Sequence, residues 1–138
     1  MSFEQNPPTI LVVEDEPLVR DLLVTELEEV GYKVVAVDAG EEALAILQDH
    51  TREIDWLFTD IRLPGSIDGW LVADAFRLAH PLRPVVYATA HAPEQDRHCL
   101  QGSYFFRKPY RPAQIVAAFR RLSDDLQQCS GAPEQLRG

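Results

Sequence analysis

Three acids, a hydroxyl and an amine each stand at the close of an apolar run. Glu14 and Asp15 follow ILVV, Asp60 follows WLFT, Thr89 ends PVVYAT, and Lys108 follows YFFR. Taken singly, these are ordinary residues. An acid after a strand is commonly a turn former or a helix cap, a threonine in a β-rich run is a β former, and a lysine before a proline is surface. Taken together they describe a site. Three carboxylates at one rim repel each other and call for a compensating cation. An all-oxygen site with few carboxylates and open positions suits Mg2+. A lysine and a hydroxyl beside such an ion suit the oxygens of an incoming phosphoryl group, whose transfer needs chiefly positioning and charge neutralisation.

The five residues meet only if the elements carrying them end at one edge. Residues 9–13 form a short continuous apolar run, the mark of a strand buried on both faces. Pro17 suits the first turn of a helix, in which Val19, Leu22, Leu23, Leu27 and Val30 recur at helical spacing until Gly31 stops it. Further strands are expected over 32–37, 54–59, 84–89 and 104–107. Helices are expected over 41–48, with Ala43, Leu44 and Leu47 inward, and over 68–79, with Asp68 as its cap. A last helix over 111–126 places Ile115, Val116, Phe119, Leu122 and Leu126 on one side. Strand alternating with helix about five times implies an α/β fold: a five-stranded parallel sheet, doubly wound by helices on both faces. Ligands of such sheets bind beyond the carboxyl ends of the strands, near the point where strand order reverses. All five residues fall at those ends.

The 138 residues suffice for one domain, expected over 9–126, with a flexible N-terminus at 1–8 and a flexible tail at 127–138. A net charge of −9 argues against a nucleic-acid-binding surface, which needs clustered Lys and Arg. No apolar run approaches the ~20 residues of a membrane span, and MSFEQNPPT does not read as a secretory signal. The expectation is a cytoplasmic protein with no membrane partner, in which Cys99 and Cys129 are reduced thiols without a metal pattern.

The segments VVEDEP, FTDIRLPGSIDG, VVYATA and FFRKPY together resemble the receiver domain of two-component response regulators, across residues 9–126. The resemblance implies a flavodoxin-like fold in which Asp60 accepts a phosphoryl group from a phosphohistidine. The donor would be a sensor histidine kinase or a histidine phosphotransfer protein. It implies that Asp15 binds Mg2+ directly, that Glu14 helps through a water, and that the backbone carbonyl of Arg62 is a further ligand. Thr89 and Lys108 would hold phosphoryl oxygens, and the Lys108–Pro109 bond would be cis. Phe105, or its neighbour Tyr104, would be the aromatic that swings inward on activation, and Arg62 and His91 would tune hydrolysis of the acyl phosphate. A protein that accepts its own phosphate once per cycle has no turnover substrate, so an enzyme is not expected.

Three departures from the common receiver pattern stand out. The first acid is Glu14 rather than Asp, the turn LPGSIDG is one residue longer than usual, and the interval from Thr89 to Lys108 is short. That interval must hold a shortened fourth helix, PEQDRHCLQ, whose only apolar residues are Cys99 and Leu100, so it is marginal. In this it resembles stand-alone receivers of alphaproteobacteria that serve phosphorelays or general stress signalling. With only QQCSGAPEQLRG after the last helix, a single-domain protein without an output domain is expected. Output is therefore expected through an unidentified downstream protein, on a face carrying Tyr104, Tyr110, Arg111, Gln114, Arg120 and Arg121. Two other classes compete: a constitutive interaction module, and a doubly wound phosphohydrolase with an aspartyl nucleophile. The latter resembles D-x-D-x-T/V after its first strand, which VEDEP does not supply, and no G-x-x-x-x-G-K-[ST] loop is present.

Overall fold

The apolar runs are strands, and each polar residue that closes one lies at the same edge of a single sheet. The structure, a computed structural model, describes residues 6–90 and 103–127. Within them the order is β1 (Thr9–Val13), α1 (Pro17–Val30), β2 (Lys33–Val37), α2 (Gly40–Leu47), β3 (Trp56–Asp60), α3 (Gly69–Ala79), β4 (Val85–Thr89), β5 (Ser103–Arg107) and α4 (Pro112–Gln127). All strands pair in parallel, in the order β2-β1-β3-β4-β5.

Helices cover both faces, so the central strands lack polar alternation: β3 and β4 are buried at every position. Side chains still alternate between two cores. Ile10, Val12, Phe58, Val86 and Ala88 meet Leu23 and Leu27 of α1 and Ile115, Phe119 and Leu122 of α4. Leu11, Val13, Leu57, Val85 and Tyr87 meet Ala43 of α2 and Trp70, Val72 and Phe76 of α3. The expected doubly wound sheet is thus observed. The expected fourth helix, His91, both cysteines and most of the two termini lie outside the described residues, as does the side chain of Leu126.

Two expectations need correction. Leu22 was grouped with the residues at helical spacing in α1, but it is 62% exposed. The inward stripe of α1 runs through Val19, Leu23, Leu27 and Val30, and a helical step of ~100° carries Leu22 out of it. The third strand starts later and ends one residue further than expected. Asp60 pairs with Ala88 as part of β3, and the Ile61 N–H extends the ladder to the Ala88 carbonyl at 2.9 Å. Asp55 instead accepts a hydrogen bond from the Thr9 N–H at 2.8 Å.

Asp68 caps α3 as expected, its Oδ1 accepting from the Leu71 N–H at 3.0 Å. Asp68→Ala should cost about 1 kcal/mol, seen as a lower urea midpoint with an unchanged slope. An unchanged midpoint would show that water replaces the cap without loss.

Candidate functional site

Strand order reverses between β1 and β3: β2 lies on one side of β1, and β3, β4 and β5 lie on the other. The crevice beyond those two carboxyl ends is where such folds bind ligands. Glu14 and Asp15 leave β1 there and Asp60 ends β3, with one carboxylate oxygen from each of the three within 4.8 Å of the others. Thr89 ends β4, buried, and its carbonyl accepts the Lys108 N–H at 2.8 Å, which fixes the start of the Lys108 side chain beside the rim. The Lys108–Pro109 peptide bond is cis, as expected.

The Lys108 ammonium serves both buried acids. Its Nζ lies 3.1 Å from Asp60 Oδ1, 3.2 Å from Asp60 Oδ2 and 3.3 Å from Glu14 Oε2. Glu14 is wholly buried. Its Oε2 also accepts the Glu16 N–H at 3.1 Å, and its Oε1 accepts the Tyr110 hydroxyl at 2.9 Å. Asp60 is 2% exposed, and its Oδ1 has no hydrogen-bond donor. Asp15, by contrast, is exposed and opens the cluster to solvent.

These surroundings set the electrostatics. Burial, and then the adjacent Glu14 carboxylate, push the Asp60 pKa up to about 8, with Lys108 opposing. Burial alone would lower the pKa of Lys108, but Asp60 and Glu14 together raise it. Burial and Glu14 raise that of Tyr110. An all-oxygen donor set with a buried, undonated carboxylate oxygen and one solvent-facing acid fits a hard cation such as Mg2+.

The two aromatics of β5 part company. Phe105 stacks on Tyr87 at 4.7 Å and 15°, with Trp70 5.7 Å away, on the α2/α3 side. Tyr104 packs against the other core. The Arg62 side chain, in the turn after β3, is exposed.

Three residues that position the site were not recognised in the sequence. Gly69 approaches the Asp60 backbone so closely that a Cβ there would lie 2.0 Å from the Asp60 carbonyl oxygen. The Asp-Gly pair after the turn was its signal. Glu41, at the start of α2, clips the long turn: its Oε2 accepts the Ser66 N–H at 3.1 Å and the Ser66 hydroxyl at 3.3 Å. Backbone and Ser66 hydrogen bonds hold the Glu41 carboxyl below its usual range. Tyr110 was assigned to an outer contact face, but its hydroxyl points inward onto Glu14.

The family model of the response regulator receiver domain matches residues 10–120. This chain belongs to that family. A receiver protein from Sinorhizobium medicae is 32% identical, with a TM-score of 0.80, over 87% of this chain and 97% of that one. The receiver domain of the hybrid histidine kinase CckA is 30% identical, with a TM-score of 0.69, over 83% and 97% of the two chains. TrrA of Thermotoga maritima, solved in complex with Mg(2+)-BeF, is 29% identical with a TM-score of 0.69, over 83% and 98%. Among curated relatives, the probable transcriptional regulator ycf27 of Cyanophora paradoxa is 34% identical over 87% of this chain and 50% of its own length. The transcriptional regulatory protein BaeR of Escherichia coli is 29% identical over 94% of this chain and 52% of its own. This receiver therefore spans about half the length of these two relatives. None of its described helices is long and apolar enough to cross a membrane.

Proposed function

We propose that this receiver takes a phosphoryl group onto Asp60 from a phosphohistidine of a sensor histidine kinase or a histidine phosphotransfer protein. It passes the change on through phosphorylation-dependent contacts with a downstream protein, or as a step in a phosphorelay. One observation carries this reading. Asp60 is a 2% exposed carboxylate at the strand-order reversal, with one oxygen undonated and an ammonium within 3.2 Å of both oxygens. A buried ion pair is a poor source of stability. A rigidly held carboxylate beside a cation is, however, a good nucleophile for in-line displacement.

An Asp60 oxygen attacks phosphorus as the P–N bond breaks, and the imidazole leaves with the electron pair. The product is an acyl phosphate, which water hydrolyses to restore the carboxylate. Mg2+, held by Asp15, Asp60 and the Arg62 carbonyl with help from Glu14, would neutralise charge on the phosphoryl oxygens. Lys108 turns from the carboxylates to the phosphoryl group, and the Thr89 hydroxyl donates to it. Thr89 and Tyr87 lie two residues apart on one sheet face. The Phe105 ring, stacked on Tyr87, follows Thr89 by leaving that stack, whereas Tyr104 packs on the opposite face. The phosphate is taken once per cycle with no turnover substrate, so the protein acts as a switch rather than an enzyme. That a 29% identical receiver binds Mg(2+)-BeF supports the reading.

Acetyl phosphate with Mg2+ should add one labile phosphate, visible in the intact mass and mapping to Asp60. Protein that stays unlabelled would overturn the proposal, and continuing phosphate release from varied esters would favour a hydrolase. Asp15→Asn should weaken Mg2+ binding by about tenfold or more, since even outer-shell changes cost that much. Labelling should fall with it at limiting Mg2+, and unchanged labelling there would remove Asp15 from the cation site.

A further inference from the structure

Glu14 is held at both oxygens by three donors, and only one of them reaches Oε1. Oε2 takes the Lys108 ammonium and the Glu16 N–H. Oε1 takes the Tyr110 hydroxyl at 2.9 Å. The Tyr110 ring is fixed in turn, edge-on against Phe58 of β3 at 5.5 Å and 65°. Glu14 is 0% exposed, so an oxygen released from its donor has no ready supply of water to replace it. A glutamate also has one more side-chain torsion than an aspartate, and the Glu16 N–H fixes Oε2 alone, so without a donor at Oε1 the carboxylate can turn about that single anchor. Lys108 cannot be the lasting anchor, because it leaves for the phosphoryl group.

We propose that Tyr110 is a positioning residue of this site, whose hydroxyl holds the Glu14 carboxylate toward the cation independently of Lys108. The inference rests on the reading above in taking Glu14 to serve a bound cation. It explains how a buried glutamate works where the family commonly has the shorter acid: the extra methylene carries Oε1 within reach of a hydroxyl two residues past Lys108.

The test is Mg2+ binding to the unphosphorylated protein, measured by calorimetric titration of four proteins: wild type, Tyr110→Phe, Glu14→Asp and the double variant. Tyr110→Phe keeps the ring on Phe58 and removes only the donor. It should weaken Mg2+ binding by about threefold to tenfold, the effect of one net hydrogen bond. Glu14→Asp retracts the carboxylate from the hydroxyl, so Tyr110→Phe on that background should have no further effect. A loss confined to the Glu14 background marks positioning through Glu14, which a merely structural role of the ring would not give. An unchanged affinity in Tyr110→Phe, or the same loss on both backgrounds, overturns the proposal. The phosphoacceptor reading is tested apart from this: wild type that binds Mg2+ yet takes no phosphate from acetyl phosphate sinks that reading and leaves the result of the cycle standing.

Discussion

Asp60→Asn should end phosphorylation by acetyl phosphate and, in metal-free buffer at pH 8, make the protein more stable. The first effect follows from loss of the nucleophilic oxygen pair. The second follows from burial. The Asp60 pKa stands at about 8 in the folded receiver, against roughly 3.9 in an unfolded chain. Between those values the folded state holds a proton that the unfolded state releases. Stability is therefore fullest below about pH 4 as far as Asp60 is concerned, and is lost as pH rises toward about 8. Glu41 and Asp49, whose pKa values are lowered, act with opposite sign, but only near and below the ordinary carboxylate values of 4.5 and 3.8. His80, lowered by burial and by Arg83, also opposes the trend as pH rises toward the ordinary histidine value of 6.5. The Asp60 slope is cleanest between about pH 7 and 8. Asparagine keeps the shape, removes the charge and leaves Lys108 to Glu14. The gain at pH 8 should be on the order of 2 kcal/mol, or several degrees in Tm. Mg2+ should stabilise wild type more than Asp60→Asn, because a ligand of the folded state shifts the equilibrium in proportion to its affinity. A lower Tm for Asp60→Asn at pH 8 without metal would contradict this account, as would a wild-type Tm that does not fall from pH 7 to 8.

The rim was legible in the sequence because topology does the gathering. In a parallel sheet every strand delivers its last residue to one edge, so polar residues closing four apolar runs had to converge whatever their individual rotamers. The edges of the runs were less legible. Whether Asp60 ended β3 or followed it depended on one ladder hydrogen bond to Ala88, which no local pattern encodes. Leu22 was misjudged because the adjacent Leu22 and Leu23 both stand at helical spacing from Val19, and only packing against α4 selects between them. Tyr110 and Glu41 were hidden for another reason. Each acts on a partner far along the chain, Glu14 across 96 residues and Ser66 across 25. Their polar atoms, read alone, look like solvated surface.

Gly69→Ala should cost about 2–3 kcal/mol of stability and slow phosphorylation by about a hundredfold. Gly69 opens α3, and its N–H donates to the Ile61 carbonyl at 2.8 Å. That bond pulls the helix start onto the end of β3. An added Cβ would meet the Asp60 carbonyl oxygen at 2.0 Å, the Ile61 Cα at 2.8 Å and the Asp60 carbonyl carbon at 2.9 Å. All three are backbone atoms, so no side-chain rotation relieves the clash. Either α3 retreats, taking Trp70 from its contacts with Tyr87 and Phe105, or the end of β3 is pushed aside and carries Asp60 with it. The first course loses packing that alanine's better helix propensity, at most about 1 kcal/mol, does not restore. The second moves the nucleophile relative to Lys108, and a displacement of about 1 Å suffices for a hundredfold loss. Gly31→Ala is the control. Gly31 has φ +111° and nothing within 4 Å of an added Cβ. It should lose about 1–2 kcal/mol to left-handed backbone strain while labelling at the wild-type rate. If Gly69→Ala instead keeps wild-type Tm and labelling, the α3 start moves freely away from β3, and the close approach is no part of what holds Asp60 in place.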